Sequence, residues 1–188
     1  MRLEHEFEVA APVETVWALL LDLERVAPCL PGGEVTERVD ERTYGASVKV
    51  KLGPMQMSYR GEITIAEADE AARRTVMEAK GSEARGQGSA RATITTTLAA
   101  ARSGTRAQVV TDMHLAGRVA QMGRGIVRDV STRLMGDFAR CLSERAAAAP
   151  PESSSAADAG PAPAAPIGGL SLLRELLRAR LSGLLRRQ

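Results

Sequence analysis

The chain has 188 residues, 44% hydrophobic but only 3% aromatic, with 25 lysines and arginines against 23 acids and a formal net charge of +2. That length supports one domain with a real core plus an appendage. A near-neutral body without a basic stripe interleaved with aromatics argues against nucleic acid as a partner, and without a run of eighteen apolar residues no segment spans a bilayer.

The N-terminal "MRLEHEFEVAAP" has no apolar stretch of signal-peptide type, so the expected location is cytoplasmic. Residues 3–9, "LEHEFEV", alternate apolar and polar, the mark of a half-buried strand. His5 is placed on the polar side of that strand. Pro12 and Glu14 then introduce a helical apolar run, which "APCLPGG" breaks. Strand-like runs follow over 34–40, 43–52, 55–66, 73–80, 87–99 and 105–116, several separated by turn-forming pairs such as Gly53-Pro54, Asp69-Glu70 and Ser103-Gly104. From Val119 to Arg145 the period becomes helical: Val119, Met122, Ile126, Val130, Leu134, Phe138 and Leu142 form one apolar stripe.

Strand, short helix, six antiparallel strands and a long helix make a two-layer α+β fold with one helix against a curved sheet. Alternation puts Val48, Val50, Leu52, Met57 and Tyr59 on one face and Lys49, Lys51, Ser58 and Arg60 on the other. Later strands offer Met77 and Ala79, then Ala90, Ala92 and Ile94, then Val109, Thr111 and Met113. Many of these inward positions are small, which leaves room for a chamber suited to an apolar ligand. The same pattern equally fits a filled core with methionines as gap fillers.

Catalytic groups are sparse. His5 and His114 lack a nucleophile partner in a recognisable elbow, and Asp22, Glu24 and Asp112 are scattered. "QMGRG" (121–125) is no phosphate cradle, since it sits in or at the start of a helix. Its glycines, each costing about 1 kcal/mol there relative to alanine, suit a cavity mouth or a frayed first turn. Cys29 and Cys141 show no metal-type spacing. One disulfide is compatible with them, but free buried thiols are the expectation.

Three stretches carry a resemblance: "VAAPVETVWALLLDLERVAPCLPGGE" (9–34), "YGASVKVKLGPMQMSYRGEI" (44–63) and "GRGIVRDVSTRLMGDFARCL" (123–142). Together they resemble the carbon monoxide dehydrogenase G-subunit family, within the START-like (SRPBCC), helix-grip superfamily. The specific parts are Pro31-Gly32, the lysine-rich strand ending in Gly53-Pro54, and Gly123-Arg124 at the head of the long helix. The resemblance implies a seven-stranded antiparallel sheet gripping the C-terminal helix around an apolar tunnel. It also implies an accessory protein of molybdenum-containing carbon monoxide dehydrogenase-type hydroxylases, associated with quinone delivery at the membrane. No catalytic residue is carried over.

After Arg145, residues 146–169 are nearly all Ala, Pro, Ser and Gly, a linker whose ends lie roughly 25–30 Å apart as a flexible coil. Beyond it, "GGLSLLRELLRARLSGLLRRQ" forms a basic amphipathic helix over 170–188. Leu170, Leu173, Leu176, Leu177, Leu181, Leu184 and Leu185 share one half of that helix, while Leu172 does not. Arg178 and Arg186 lie opposite, and Arg174, Arg180 and Arg187 flank the apolar half, where their stems can snorkel. Eighteen helical residues reach about 27 Å, but five arginines forbid a span, so the helix is expected to lie in an anionic membrane surface. Docking of the leucine face on a protein groove is the alternative.

The expected protein is thus a START-like domain over 1–145, a linker over 146–169 and a membrane-binding helix over 170–188. Its expected function is that of a non-catalytic carrier of a respiratory quinone, menaquinone or ubiquinone, with no covalent cofactor and no metal. It would be peripheral on the inner face of the cell membrane, serving a carbon monoxide dehydrogenase-type enzyme. The candidate lining is Trp17, Leu30, Val48, Val50, Met57, Tyr59, Met77, Met113, Met122, Ile126 and Val130, with Tyr59 and Trp17 as polar tips. The rivals are a cyclase or hydrolase using the same chamber, and an adaptor with a filled one.

Overall fold

The computed structural model describes residues 1–52 and 55–148; the tail positions 170–188 and nearly all of the linker lie outside the described residues. Seven strands form one antiparallel sheet: β1 (Arg2–Val9), β2 (Gly33–Arg38), β3 (Thr43–Leu52), β4 (Met55–Asp69), β5 (Arg74–Glu83), β6 (Gly88–Ala101) and β7 (Gly104–Gly117). Their order is β1-β7-β6-β5-β4-β3-β2, so β1 crosses over to pair with β7 and leaves β1 and β2 at the edges. Between β1 and β2 lie α1 (Val13–Leu21), α2 (Leu23–Val26) and a 3₁₀ turn over Ala27–Cys29. A second 3₁₀ turn (Arg118–Met122) leads into the long helix α3 (Arg124–Ala148).

Strand alternation accounts for the layering. Leu3, His5, Phe7 and Val9 of β1 point to the helices, while Arg2, Glu4, Glu6 and Glu8 are exposed. His5 therefore sits on the apolar side, contrary to expectation. Its Nε2 lies 2.9 Å from Ser131 Oγ on α3, and burial lowers its pKa, so it ties strand to helix as a neutral ring. The main core gathers Val9, Val16, Leu20, Leu23, Val26 and Leu142 under α1, α2 and the C-terminal part of α3. Arg73, at φ 49°, places its guanidinium 5.7 Å from the centre of the Trp17 ring and 3.5 Å from Glu14, which closes the β4–β5 turn over α1.

Three further features differ from the expectations. The helical stripe does not begin at Val119, because Gly117 and Gly123 take φ values of +79° and +84° and bracket a 3₁₀ turn before α3 starts. At Gly117 an added Cβ would also stand 2.3 Å from the Gln87 carbonyl oxygen, so no other residue fits there without a backbone shift. The helix continues through Ala148, past the compositional break at Arg145, because alanine is the best helix former and Ala146 is buried in the core. Cys29 and Cys141, expected as free thiols, form a disulfide across 112 residues with Cα atoms 5.3 Å apart. Neither residue's local sequence could announce that pairing, which only the packing of α3 on the 3₁₀ turn creates.

Thr75 is 1% exposed on the inner face of β5, and its hydroxyl finds no hydrogen-bond partner among the described residues. A buried unpaired hydroxyl costs about 1–3 kcal/mol. Thr75→Val keeps the shape and removes the hydroxyl. It is expected to raise stability by about 1 kcal/mol, read as a higher urea midpoint at unchanged slope.

Candidate functional site

The inner face of the sheet is graded in size along the strands. One cross-strand row runs Ala46–Gly61–Gly81–Ala90–Leu115, and the next runs Tyr44–Ile63–Ala79–Ala92–Met113. The alanines and glycines of these rows lie between the main core, which takes Tyr44 and Ile63, and a second apolar cluster, which takes Ala90 and Leu115. Buried Met57, Tyr59 and Val119 form that cluster, with half-buried Val48, Val50, Ala90, Leu115, Met122 and Val130 packed on them. It lies at the end of the sheet where α3 begins.

Helix α3 reflects the same gradient. Leu142 and Ala146 are buried against the main core, whereas Val127, Val130 and Leu134 are only half-buried and Ile126 is 41% exposed. The C-terminal half is clamped; the N-terminal half is held less closely, by Val130 on the second cluster and by the contact of Ser131 with His5. A recess of about 240 Å³ opens at this junction, where Met113, Leu115, Val119, Ala120 and Val127 meet Gly123 and the polar groups of Met1, His114 and Arg124. A larger depression of about 590 Å³ is lined chiefly by outer-face residues, including Glu62, Thr64, Glu78, Lys80 and Arg91. It lies open on the outer face and carries charged side chains, with Lys80 paired to Glu62 at 2.9 Å.

The candidate lining thus divides. Val48, Val50, Met57, Tyr59, Met122 and Val130 come together in the second cluster. Met113 is half-buried in the neighbouring row and borders the recess. Trp17 and Met77 belong to the main core instead, because α1 covers their end of the sheet. Leu30 is half-buried outside both clusters, and Ile126 faces solvent because it precedes the point where α3 meets the body.

Glu83 is absent from the expected lining. It occupies the last inward position of β5, opposite Tyr59, and is 6% exposed. Its Oε2 accepts the backbone N–H groups of Arg85 (2.7 Å) and Gln87 (3.3 Å), which builds the β5–β6 turn around it. Burial opposes its ionised form, but the N–H bonds from Arg85, Gln87 and Ser58 outweigh that and lower its pKa. The Tyr59 phenol is raised, first by burial and then by the negative charge of Glu83. The Tyr59 hydroxyl, which donates a long bond of 3.9 Å to Met57 Sδ, and the ionised Glu83 carboxylate therefore occupy paired positions of β4 and β5 beside the second cluster. The period-2 count from Met77 through Ala79 and Gly81 is the signal in the sequence that puts Glu83 inside.

Among the described residues no His, Cys, Asp and Glu cluster could hold a metal ion, and no helix is long and apolar enough to cross a membrane. A curved seven-stranded antiparallel sheet around one long helix defines a helix-grip domain of the START-like class. The family model of CoxG, the G subunit of carbon monoxide dehydrogenase, matches residues 6–147, and the chain belongs to that family. No curated protein matches the sequence.

Solved structures agree on the fold. A conserved protein from Geobacillus kaustophilus superposes with a TM-score of 0.70 at 20% identity, covering 79% of this chain and 96% of its own. A protein from Thermus thermophilus gives 0.57 at 20% identity, covering 79% and 98%. The ZhuI aromatase/cyclase from Streptomyces sp. R1128 gives 0.54 at 16% identity, covering 78% and 93%. At these identities the likeness concerns architecture, which hosts unrelated functions.

Proposed function

We propose that this protein is a non-catalytic carrier for an apolar ligand with a carbonyl or hydroxyl head, a respiratory quinone, and that it serves a carbon monoxide dehydrogenase-type molybdenum enzyme at the membrane. The observation that carries this reading is the half-buried N-terminal part of α3 above the small-residue rows, with Tyr59 and Glu83 at the adjoining polar end. Tyr59 donates to a quinone carbonyl, and Glu83 accepts from a quinol hydroxyl. The recess of about 240 Å³ is smaller than the 300 Å³ or so at which ligand pockets begin. Loading therefore requires the first turns of α3 to move outward about Gly123, whose surroundings are open within 4 Å. The leucine face and arginines of residues 170–188 hold the carrier where its ligand is dissolved. Family membership supports the accessory role, as the family name is that of an enzyme component.

Native mass spectrometry of the chain purified from its host, with lipid extraction of the same sample, tests the reading. A stoichiometric isoprenoid quinone is expected. Ala90→Phe, which fills the floor beneath Val130, is expected to abolish uptake while leaving a cooperative unfolding transition. An empty chain that also refuses added menaquinone and ubiquinone would leave a membrane adaptor in its place.

A further inference from the structure

We propose that the domain has its own lipid-facing surface, independent of the tail: the end of the sheet at which the recess opens docks on an anionic leaflet. The register brings together at that end the last residues of β3, the first residues of β4, the β5–β6 turn, the last residues of β7 and the start of α3. It presents Lys49, Lys51, Arg60, Arg85, Arg118 and Arg124, all exposed. Among the described residues none of these six forms an ion pair. At the opposite end Arg73, Arg74 and Arg106 are paired with Glu14 and Glu70, with Glu67, and with Glu6 and Glu8 respectively. Nearby carboxylates do not balance the six: Glu83 is buried and bonded to backbone N–H groups, which leaves Glu34 and Asp129 exposed.

A second observation decides what such a surface meets. Ile126, one of two large hydrophobic residues exposed among the described ones, lies in the first turn of α3 beside Arg124. A Cβ built on Gly123 or on Gly125 would meet nothing within 4 Å, so this turn stands clear of the body. An exposed apolar residue at the same end as these unpaired cations matches the boundary between phosphate headgroups and acyl chains, where the cations meet phosphate and Ile126 enters hydrocarbon. An acidic protein surface would satisfy the cations but leave Ile126 unmatched. The inference rests on the carrier reading for its purpose, since it would turn the recess toward the lipid.

The test uses the full chain with its tail silenced by Leu173→Ser, Leu177→Ser, Leu181→Ser, Arg178→Gln and Arg186→Gln. This protein is expected to partition onto vesicles containing phosphatidylglycerol, to ignore vesicles of phosphatidylcholine alone, and to be released by salt. Adding Lys51→Gln, Arg85→Gln and Arg118→Gln, all at exposed positions, is expected to weaken partitioning ~100-fold, at about fivefold per basic residue. Independently, a polarity-sensitive dye on Ile126→Cys is expected to shift to the blue only with the anionic vesicles. Indifference of the tail-silenced chain to phosphatidylglycerol, an unchanged partition after the three substitutions, or a silent dye would each overturn the inference. A chain that binds quinone but not these vesicles would sink the docking surface alone; one that binds the vesicles but no quinone would sink the carrier reading alone.

Discussion

Removing the Cys29–Cys141 disulfide is expected to lower the melting midpoint of the domain by about 10 °C. The bond closes a loop of 112 residues, and cross-links of this kind typically contribute about 2–4 kcal/mol by restricting the unfolded chain. For a domain of this size each kcal/mol moves the midpoint by roughly 2–4 °C or slightly more. The bond joins the 3₁₀ turn at Ala27–Cys29 to α3 between Arg140 and Leu142, so it acts on the clamped half of the helix. Because Cys29 is 2% exposed, reductant alone reacts slowly, and the double variant Cys29→Ser, Cys141→Ser is the cleaner comparison. Identical melting curves for that variant and the parent would mean that packing alone holds α3 in place. Disulfides are uncommon in reducing cytosol, so the redox state of this pair inside cells bears directly on how firmly the helix is gripped.

Period-2 alternation suffices to group Val48, Val50, Met57 and Tyr59, because antiparallel register keeps one face together across β3 and β4. The same logic applied strictly turns His5 inward beside Leu3 and Phe7; treating histidine as polar by type overrides its position. Periodicity says nothing about which end of a face a helix will cover. That is why Trp17 and Met77, correctly inward, fall in the main core and not beside the recess. The start of α3 is blurred because Val119 and Met122 continue the helical spacing, while the positive φ at Gly123 that interrupts it belongs to the backbone. Glu83 is hidden for a related reason. A carboxylate at an inward position reads as an error until the turn that supplies its N–H partners is seen.

The unequal packing of α3 makes the strongest forecast. Leu142 is fully buried among Val9, Val16 and Leu20, so Leu142→Ala removes packed methyl groups from a region with no slack. Its expected cost is about 3–4 kcal/mol, within the range for buried leucines. Leu134 lies two turns earlier on the same stripe but is only half-buried and belongs to neither apolar cluster. Leu134→Ala is expected to cost about 1 kcal/mol, since much of its surface already meets water. Urea denaturation of both variants gives the comparison at once. A several-fold difference means that the helix is anchored at one end and free to part from the sheet at the other, which a carrier needs. Equal losses would mean that the interior beneath Leu134 is filled; the space proposed for the ligand would not exist, and Ala90→Phe would then fail to fold for the same reason.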